Sequence, residues 1–354
     1  MVGARRVRQG LGPFVARYLS AAGAEIAGVL GTSPDSVGRA CRDLEGMLPA
    51  RPRGYTDLAP LLEREKPDAL AILSPHPTHE GYLEAALAAG LHTLCEKPLI
   101  WGGEGLGGRA AAICARFERA GLLLRESCQW PLVLDSYRRL FPETSAGPPE
   151  EVGMELCPVA LEPVGMLADS LSHPLSLLQA VLPDPEAEVH EIRSLFVPGG
   201  EPDPGASPAG PRLEVRFRYG ARPSIEATVR LTPSDALPRP AALALDGRWA
   251  RREVREPGYQ IHLTAGGRSE MVPDPLGALV GRFVSDLHSV LSGRRPEGSG
   301  DIAQRMRLFE RVLGAVKADL AGRPGSGSRS GAGSSAEAGP GSEAGRRASA
   351  GRSE

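Results

Sequence analysis

Lysine is nearly missing from this chain. Of 41 basic residues only Lys66, Lys97 and Lys317 are lysine, so a positive charge with no further duty is written here as arginine. An excess of either charge is missing as well: 41 basic residues against 43 acidic ones leave a formal charge of −2. That removes the electrostatic pull a nucleic-acid binder needs. No apolar run approaches the roughly 18 residues that span a bilayer, and the Arg-rich opening is not followed by the apolar stretch of a secretory leader. These absences predict a cytoplasmic protein with neither nucleic acid nor membrane as partner. The five cysteines, Cys41, Cys95, Cys114, Cys128 and Cys157, are odd in number and form no C-x-x-C pair. A disulfide framework and a zinc knuckle are not expected, and small apolar core residues are.

What is present divides the 354 residues into two domains and a tail. Through residue 125, short apolar runs (25–30, 68–73, 92–95) alternate with helical patterns (13–22, 57–65, 80–89). Continuous apolar strands between amphipathic helices predict α/β architecture, a doubly wound parallel sheet covered on both faces. From 126 to 321 the pattern changes. Segments 213–219 and 224–231 alternate as half-buried antiparallel strands, and 275–291 and 301–320 return to helical periodicity. This predicts an α+β domain for the substrate and for self-association, with a homo-oligomer expected from an open sheet face. After Leu320 no large apolar residue occurs, so 322–354 is expected to be a disordered tail of Gly, Ser, Ala and Arg.

Three stretches carry candidate chemistry: Gly10-Leu-Gly12; Ser74-Pro-His-Pro-Thr-His79 leading to Cys95-Glu-Lys-Pro-Leu99; and Asp169-Ser-Leu-Ser-His173. Glu96-Lys97-Pro98 follows a predicted strand and therefore lies at the carboxyl edge of the sheet, where open α/β sheets bind ligands. An ammonium group there can polarise a hydroxyl or carbonyl oxygen, and burial tunes an ammonium in a way it cannot tune a guanidinium. Asp169 and His173, four apart, would share a helix face. Pro174 pushes His173 toward the mouth of the helix through 175–181, where the positive end of the helix favours a neutral imidazole. His76 and His79 form an H-x-x-H, but Pro77 lies between them and no third ligand is near, so no metal is expected.

Their order and spacing resemble the Gfo/Idh/MocA family of nicotinamide-dependent oxidoreductases. The resemblance runs from about residue 2 to 320. It is anchored on Leu83-Glu-Ala-Ala-Leu-Ala-Ala-Gly-Leu-His-Thr-Leu-Cys-Glu-Lys-Pro-Leu99, which is similar to the family's helix, strand and E-K-P loop without a gap. It implies that Lys97 contacts the reacting oxygen, Glu96 the nicotinamide ribose, and that His79 lines the cofactor cleft beside Ser74 and Pro75. It also implies that His173 exchanges the hydroxyl proton and that Asp169 orients the substrate. Gln129 and Tyr137, after the strand at 122–127, are further candidates to face the substrate.

The adenosine end is less regular. The acidic residue that would bind a ribose 2′-hydroxyl about 20 residues after the glycine loop is absent, and Thr32, Ser33 and Arg39 stand nearby. This favours NADP, with NAD the alternative. If Gly10-x-Gly12 is the dinucleotide loop, the strand before it (2–9) contains Arg5, Arg6 and Arg8, too costly for a central strand. In the other register Val2-Gly3-Ala4-Arg5 ends the strand and opens the loop, with Arg5 where a second glycine would let the backbone approach pyrophosphate. The apolar part of that strand would then precede Met1, so the first strand is expected to be missing and cofactor binding weakened. Three functions follow as expectations. The first is hydride transfer between a nicotinamide and the hydroxyl or carbonyl of a small sugar-like or polyol metabolite. The second is a non-catalytic homologue that binds a small molecule or a partner. The third is nicotinamide chemistry ending in hydrolysis or elimination.

Overall fold

The computed structural model describes residues 1–5, 10–145, 147–199, 210–255 and 260–322. The tail, from residue 323, lies outside them, as do Arg6 and Arg8. The amino-terminal half runs α1 (Gly12–Ala21), β1 (Gly28–Leu30), α2 (Pro34–Leu44), β2 (Arg53–Tyr55), α3 (Leu58–Glu65), β3 (Ala69–Ile72), α4 (His79–Ala89), β4 (His92–Cys95), α5 (Leu106–Arg119) and β5 (Leu124–Glu126). β1 pairs with β2, β3 with β4 and β4 with β5, all parallel.

Val2 joins the two groups of strands. It forms parallel bridges to both Leu30 and Ile72; its N–H donates to the Ala71 carbonyl (2.8 Å) and its carbonyl accepts from Leu73 N–H (2.9 Å). The order β2-β1-Val2-β3-β4-β5 is that of a dinucleotide-binding sheet whose central strand is a single bridging residue. The register in which Val2-Gly3-Ala4-Arg5 ends the strand and opens the loop is the one seen. The chain turns out of the sheet at Gly3, whose φ is +74° and whose Cβ, if it had one, would stand 2.6 Å from the backbone of Leu73 and Ser74. Only glycine fits so close a crossing of two backbones.

The sheet is buried on both faces, and residues alternate between two cores with the period of a strand. Leu30, Ile72, Cys95 and Leu124 enter one; Val29, Ala71, Leu94 and Leu123 enter the other. This covering explains why the strands read as unbroken apolar runs.

The second half comprises α6 (Leu134–Leu140), β6 (Glu151–Leu156), α7 (Pro163–Ser170), α8 (Ser172–Val181), β7 (Val189–Val197), β8 (Arg212–Tyr219), β9 (Ile225–Leu231), β10 (Ala241–Leu245), β11 (Arg248–Arg255), β12 (Gln260–Ala265), β13 (Arg268–Val272), α9 (Pro275–Leu291) and α10 (Gly300–Ala321). Its eight strands form one sheet in the order β13-β12-β11-β10-β6-β9-β8-β7. Neighbours are antiparallel except β6 and β9.

The chain crosses back at its end. Leu276, Val280, Phe283, Val284 and Leu287 of α9 share a core with Val15 and Leu19 of α1. α10 lies along α5, where Glu310 accepts from the Gly107 N–H (3.0 Å). Among the described residues no helix is long and apolar enough to cross a membrane.

Candidate active site

Two loops leave the carboxyl edge of the parallel sheet side by side. The first follows β3 through Ser74 and Pro75 into a 3₁₀ turn, His76–Thr78; the second follows β4 as Glu96-Lys97-Pro98. Glu96 N–H donates to the Ile72 carbonyl (2.8 Å), and Thr78 Oγ1 donates to the Pro75 carbonyl (2.8 Å). His79, buried at the start of α4, stands between the loops, its Nδ1 2.9 Å from the Pro98 carbonyl oxygen and its Nε2 2.8 Å from that of Ser74. Both ring nitrogens are thus taken by backbone. His79 acts on the cleft by fixing the two loops, and the expectation that its side chain lines the cofactor cleft is corrected accordingly.

Lys97 reaches across to the second half and donates to the backbone carbonyl of Asp169, in the last turn of α7. Helix-terminal carbonyls lack intrahelical partners, which makes this oxygen a ready acceptor for an ammonium. The Asp169 carboxylate itself turns the other way, its Oδ2 accepting from Val159 N–H (3.0 Å) and Ala160 N–H (3.1 Å). The expected substrate-orienting carboxylate therefore anchors the loop after β6, and Asp169 meets Lys97 through its main chain. Asp169 and His173 also fall on two helices, since α7 ends at Ser170 and α8 begins at Ser172.

His173 is the second residue of α8, followed by Pro174. Its ring is edge-on to Trp130, with centroids 6.5 Å apart, and its Nδ1 is buried without a partner. Burial, and then the charges of Lys97, Arg252 and Arg305, hold its pKa well below the usual 6.5. The imidazole is neutral at physiological pH and free to accept a proton. Gln129 is half-buried immediately before Trp130. Tyr137 is not a substrate contact: it is fully buried, donates to the Arg248 carbonyl and accepts from Leu245 N–H (2.9 Å), fixing α6 to the β10–β11 hairpin.

Four residues belong to this region that the sequence did not single out for it. His76 is half-buried with an unpartnered Nδ1. Its ring stands edge-on to Trp101 at 5.3 Å, and burial lowers its pKa against the opposing charge of Asp169. Its strand-end position was the available signal. Glu126 ends β5 and is buried; its Oε1 accepts from Leu99 N–H (2.9 Å) and its Oε2 from Arg305 Nε (2.6 Å). Arg239 and Arg252 come from the second sheet and the loop before it. No local pattern marks these last three, because their partners are far away in sequence.

The residues present fit a nicotinamide dinucleotide at both ends. At the ring end, Glu96 Oε1 is buried with no donor, and burial raises its pKa against the pull of Lys97; such an oxygen suits a ribose hydroxyl. At the pyrophosphate end, α1 begins at Gly12 with no side-chain cap on its free N–H groups, and Arg5 Nε is buried without a partner. A helix amino terminus beside a guanidinium suits an anion. Gly12 packs tightly, a Cβ there falling 2.2 Å from the Ala4 carbonyl oxygen, while Gly10 lies in the loop before it. On the adenosine side Thr32 is exposed. Ser33 caps α2 by a reciprocal pair with Ser36, and Arg39 is ion-paired with Asp35 on the surface.

Residues 1–125 match the model of the Gfo/Idh/MocA oxidoreductase family, NAD-binding Rossmann fold. An inositol 2-dehydrogenase of Streptomyces avermitilis is 37% identical over 78 residues, which are 22% of this chain and 21% of that protein; the chain matches about a fifth of this curated relative. The fold extends further. The UDP-N-acetylglucosamine 3-dehydrogenase of Acidithiobacillus ferrooxidans superposes with a TM-score of 0.61 at 21% identity, covering 90% of this chain and 97% of that one. A 3-ketoreductase of Actinomadura kijaniata in complex with NADP gives 0.61 at 19% identity, covering 88% and 95%. The fold of both halves is therefore shared with these two solved structures.

Proposed function

We propose that this Gfo/Idh/MocA protein is an NAD(P)-dependent oxidoreductase that transfers a hydride between a nicotinamide and the hydroxyl or carbonyl carbon of a small sugar-like or polyol metabolite. The observation that carries the reading is the reach of Lys97, from the parallel-sheet half, to the Asp169 carbonyl of the other half, four residues before His173. The charge of Lys97 is the largest electrostatic influence on that imidazole after burial. The inositol and sugar-nucleotide substrates named for the similar proteins support a polyhydroxy substrate.

When bound, the nicotinamide supplies or accepts the hydride. The protein handles the proton and the charge on oxygen. In the oxidative direction the neutral His173 imidazole accepts the hydroxyl proton, and the Lys97 ammonium donates a hydrogen bond to the oxygen as negative charge builds on it. In the reductive direction the same groups return proton and polarisation. Glu96 would hold the nicotinamide ribose; Arg5 and the start of α1 would hold the pyrophosphate. Thr32, Ser33 and Arg39 support NADP over NAD, although Arg39 must leave Asp35 to reach a 2′-phosphate.

Fluorescence titration with NADPH and NADH tests the assignment. Saturable binding of one of them, with turnover of a polyol or reduced-sugar panel lost in Lys97→Ala, is the expected result. Silence toward both nucleotides would establish the non-catalytic binder instead, and product formation without net nucleotide consumption would establish elimination or hydrolysis.

A further inference from the structure

Arg239 is the residue whose situation the proposed reaction leaves unexplained. It lies in the loop leading into β10, half-buried, and its Nε is shielded from solvent with no hydrogen-bond partner. Burial is the leading influence on its guanidinium, lowering its pKa, and the largest opposing charge is that of Asp169. Asp169 is the residue whose carbonyl receives Lys97, and its Oδ2 is already occupied by the Val159 and Ala160 amides. Arg239 thus feels the charge of the Asp169 carboxylate without a carboxylate hydrogen-bonded to its own buried Nε.

Arg252 brings a second guanidinium to the same place. It donates to the Arg239 carbonyl and lies 5.9 Å from the centre of the Trp130 ring, the ring that also meets His173. Its charge acts on His173, and both arginines act on the thiol of Cys157. The two are therefore neighbours, and Arg252 links Arg239 to the Trp130 ring against which His173 packs.

A partly desolvated guanidinium is costly unless paired. Elsewhere this chain provides the partner: buried Arg305 has Glu126, and Arg125 has Asp286 and Glu297. Acidic residues are abundant, 43 in all, yet among the described residues none is hydrogen-bonded to the Arg239 Nε. A donor kept dry and unpaired next to Arg252 is what a site prepared for an anion requires, because binding then satisfies that donor instead of breaking an internal ion pair.

We propose that the substrate carries an anionic group, a carboxylate or a phosphate, held by Arg239 with the assistance of Arg252 while its hydroxyl or carbonyl lies at Lys97 and His173. This rests on the oxidoreductase reading for the identity of the reacting group. It does not rest on it for the anion site itself.

The test uses the full chain and three probes of similar size: glucuronate, glucose 6-phosphate and neutral glucose. Calorimetry or ligand-induced melting shifts are read at low and moderate salt, with NADPH binding followed separately by fluorescence. At least one of the two anions is expected to bind about tenfold or more tightly than glucose, a hydrogen-bonded charge pair's share of affinity, and to weaken as salt rises. Whichever anion binds better tells carboxylate from phosphate. Arg239→Gln should remove that preference with glucose affinity, melting temperature and NADPH affinity unchanged, and Arg239→Lys should restore part of it.

Equal affinity for glucose and both anions overturns the proposal, as does an Arg239→Gln variant that binds the anions like the wild type. If the variant does not fold, the salt dependence and probe preference of the wild type decide. Anion binding through Arg239 without nucleotide binding would leave the anion site standing and remove the redox reading. Nucleotide binding without anion preference would do the reverse.

Discussion

The Nε of Arg305, on α10, lies 2.6 Å from Glu126 Oε2 at the end of β5, with both side chains almost wholly shielded from solvent. The other oxygen of Glu126 accepts from Leu99 N–H, two residues after Lys97. The guanidinium also donates to Gln179 Oε1 on α8, the helix that carries His173. One ion pair therefore ties together the two segments that bear the proposed proton-handling groups.

Removing half of this pair strands a buried charge. Glu126→Ala or Arg305→Ala is expected to cost about 3–5 kcal/mol, read as a lower urea midpoint. Replacing both by apolar residues of similar volume should recover much of the stability. It should not recover activity, since Leu99 N–H would still lack its acceptor.

His173 makes stability depend on pH with a definite sign. Its folded-state pKa lies well below the unfolded value of 6.5, so below about pH 6.5 the unfolded chain binds more protons and folding stability falls as pH falls. Above that value the contribution is flat. Urea denaturation from pH 8 to pH 5 should show a smaller acid-side loss in His173→Gln than in the wild type. An equal loss in the two proteins would mean the imidazole is not held neutral. For the same reason the acid limb of any turnover profile due to His173 should lie below pH 6.5.

Glycine substitutions separate close approach from mere helix position. Gly3→Ala places a methyl 2.6 Å from the Leu73 backbone at a φ of +74°. It is expected to destabilise by more than about 2 kcal/mol, since neither backbone can retreat. Gly81, inside α4, has open space where a Cβ would stand, so Gly81→Ala should raise stability by about 0.5–1 kcal/mol. Thermal or urea unfolding of the two variants checks both signs.

Arg5→Ala should weaken NADPH binding by about tenfold, the loss of one charge-assisted contact to pyrophosphate, with little change in melting temperature. Fluorescence titration reads the affinity. An unchanged dissociation constant would remove Arg5 from the cofactor site.

Much of this architecture was legible beforehand because burial and periodicity are local properties. The run 92–95 could be recognised as β4 and 275–291 as α9 with the bounds they have in the fold, since each is delimited by its own Gly, Pro or polar residues. The place of Lys97, just after a strand, was legible in the same way. What was hidden depends on distance along the chain. Glu126 and Arg305 are 179 residues apart, and Arg239 meets Arg252 only because the second sheet brings them together. Asp169 was found but misjudged: spacing reveals that a carboxylate is near, and nothing local says which way it turns. Tyr137 failed similarly, its hydroxyl spent on a hairpin invisible in its own segment.

Val2 deserves a mechanical reading. The pair β2-β1 and the trio β3-β4-β5 meet through its two bridges, Leu30 on one side and Ile72 on the other. The segment Met1–Gly3 carries the junction, bonding Gly28 and Leu30 on one side and Ala71 and Leu73 on the other. Because the Leu30 and Leu73 amides both donate to this one segment, an occupant that holds it in place should slow their hydrogen exchange together.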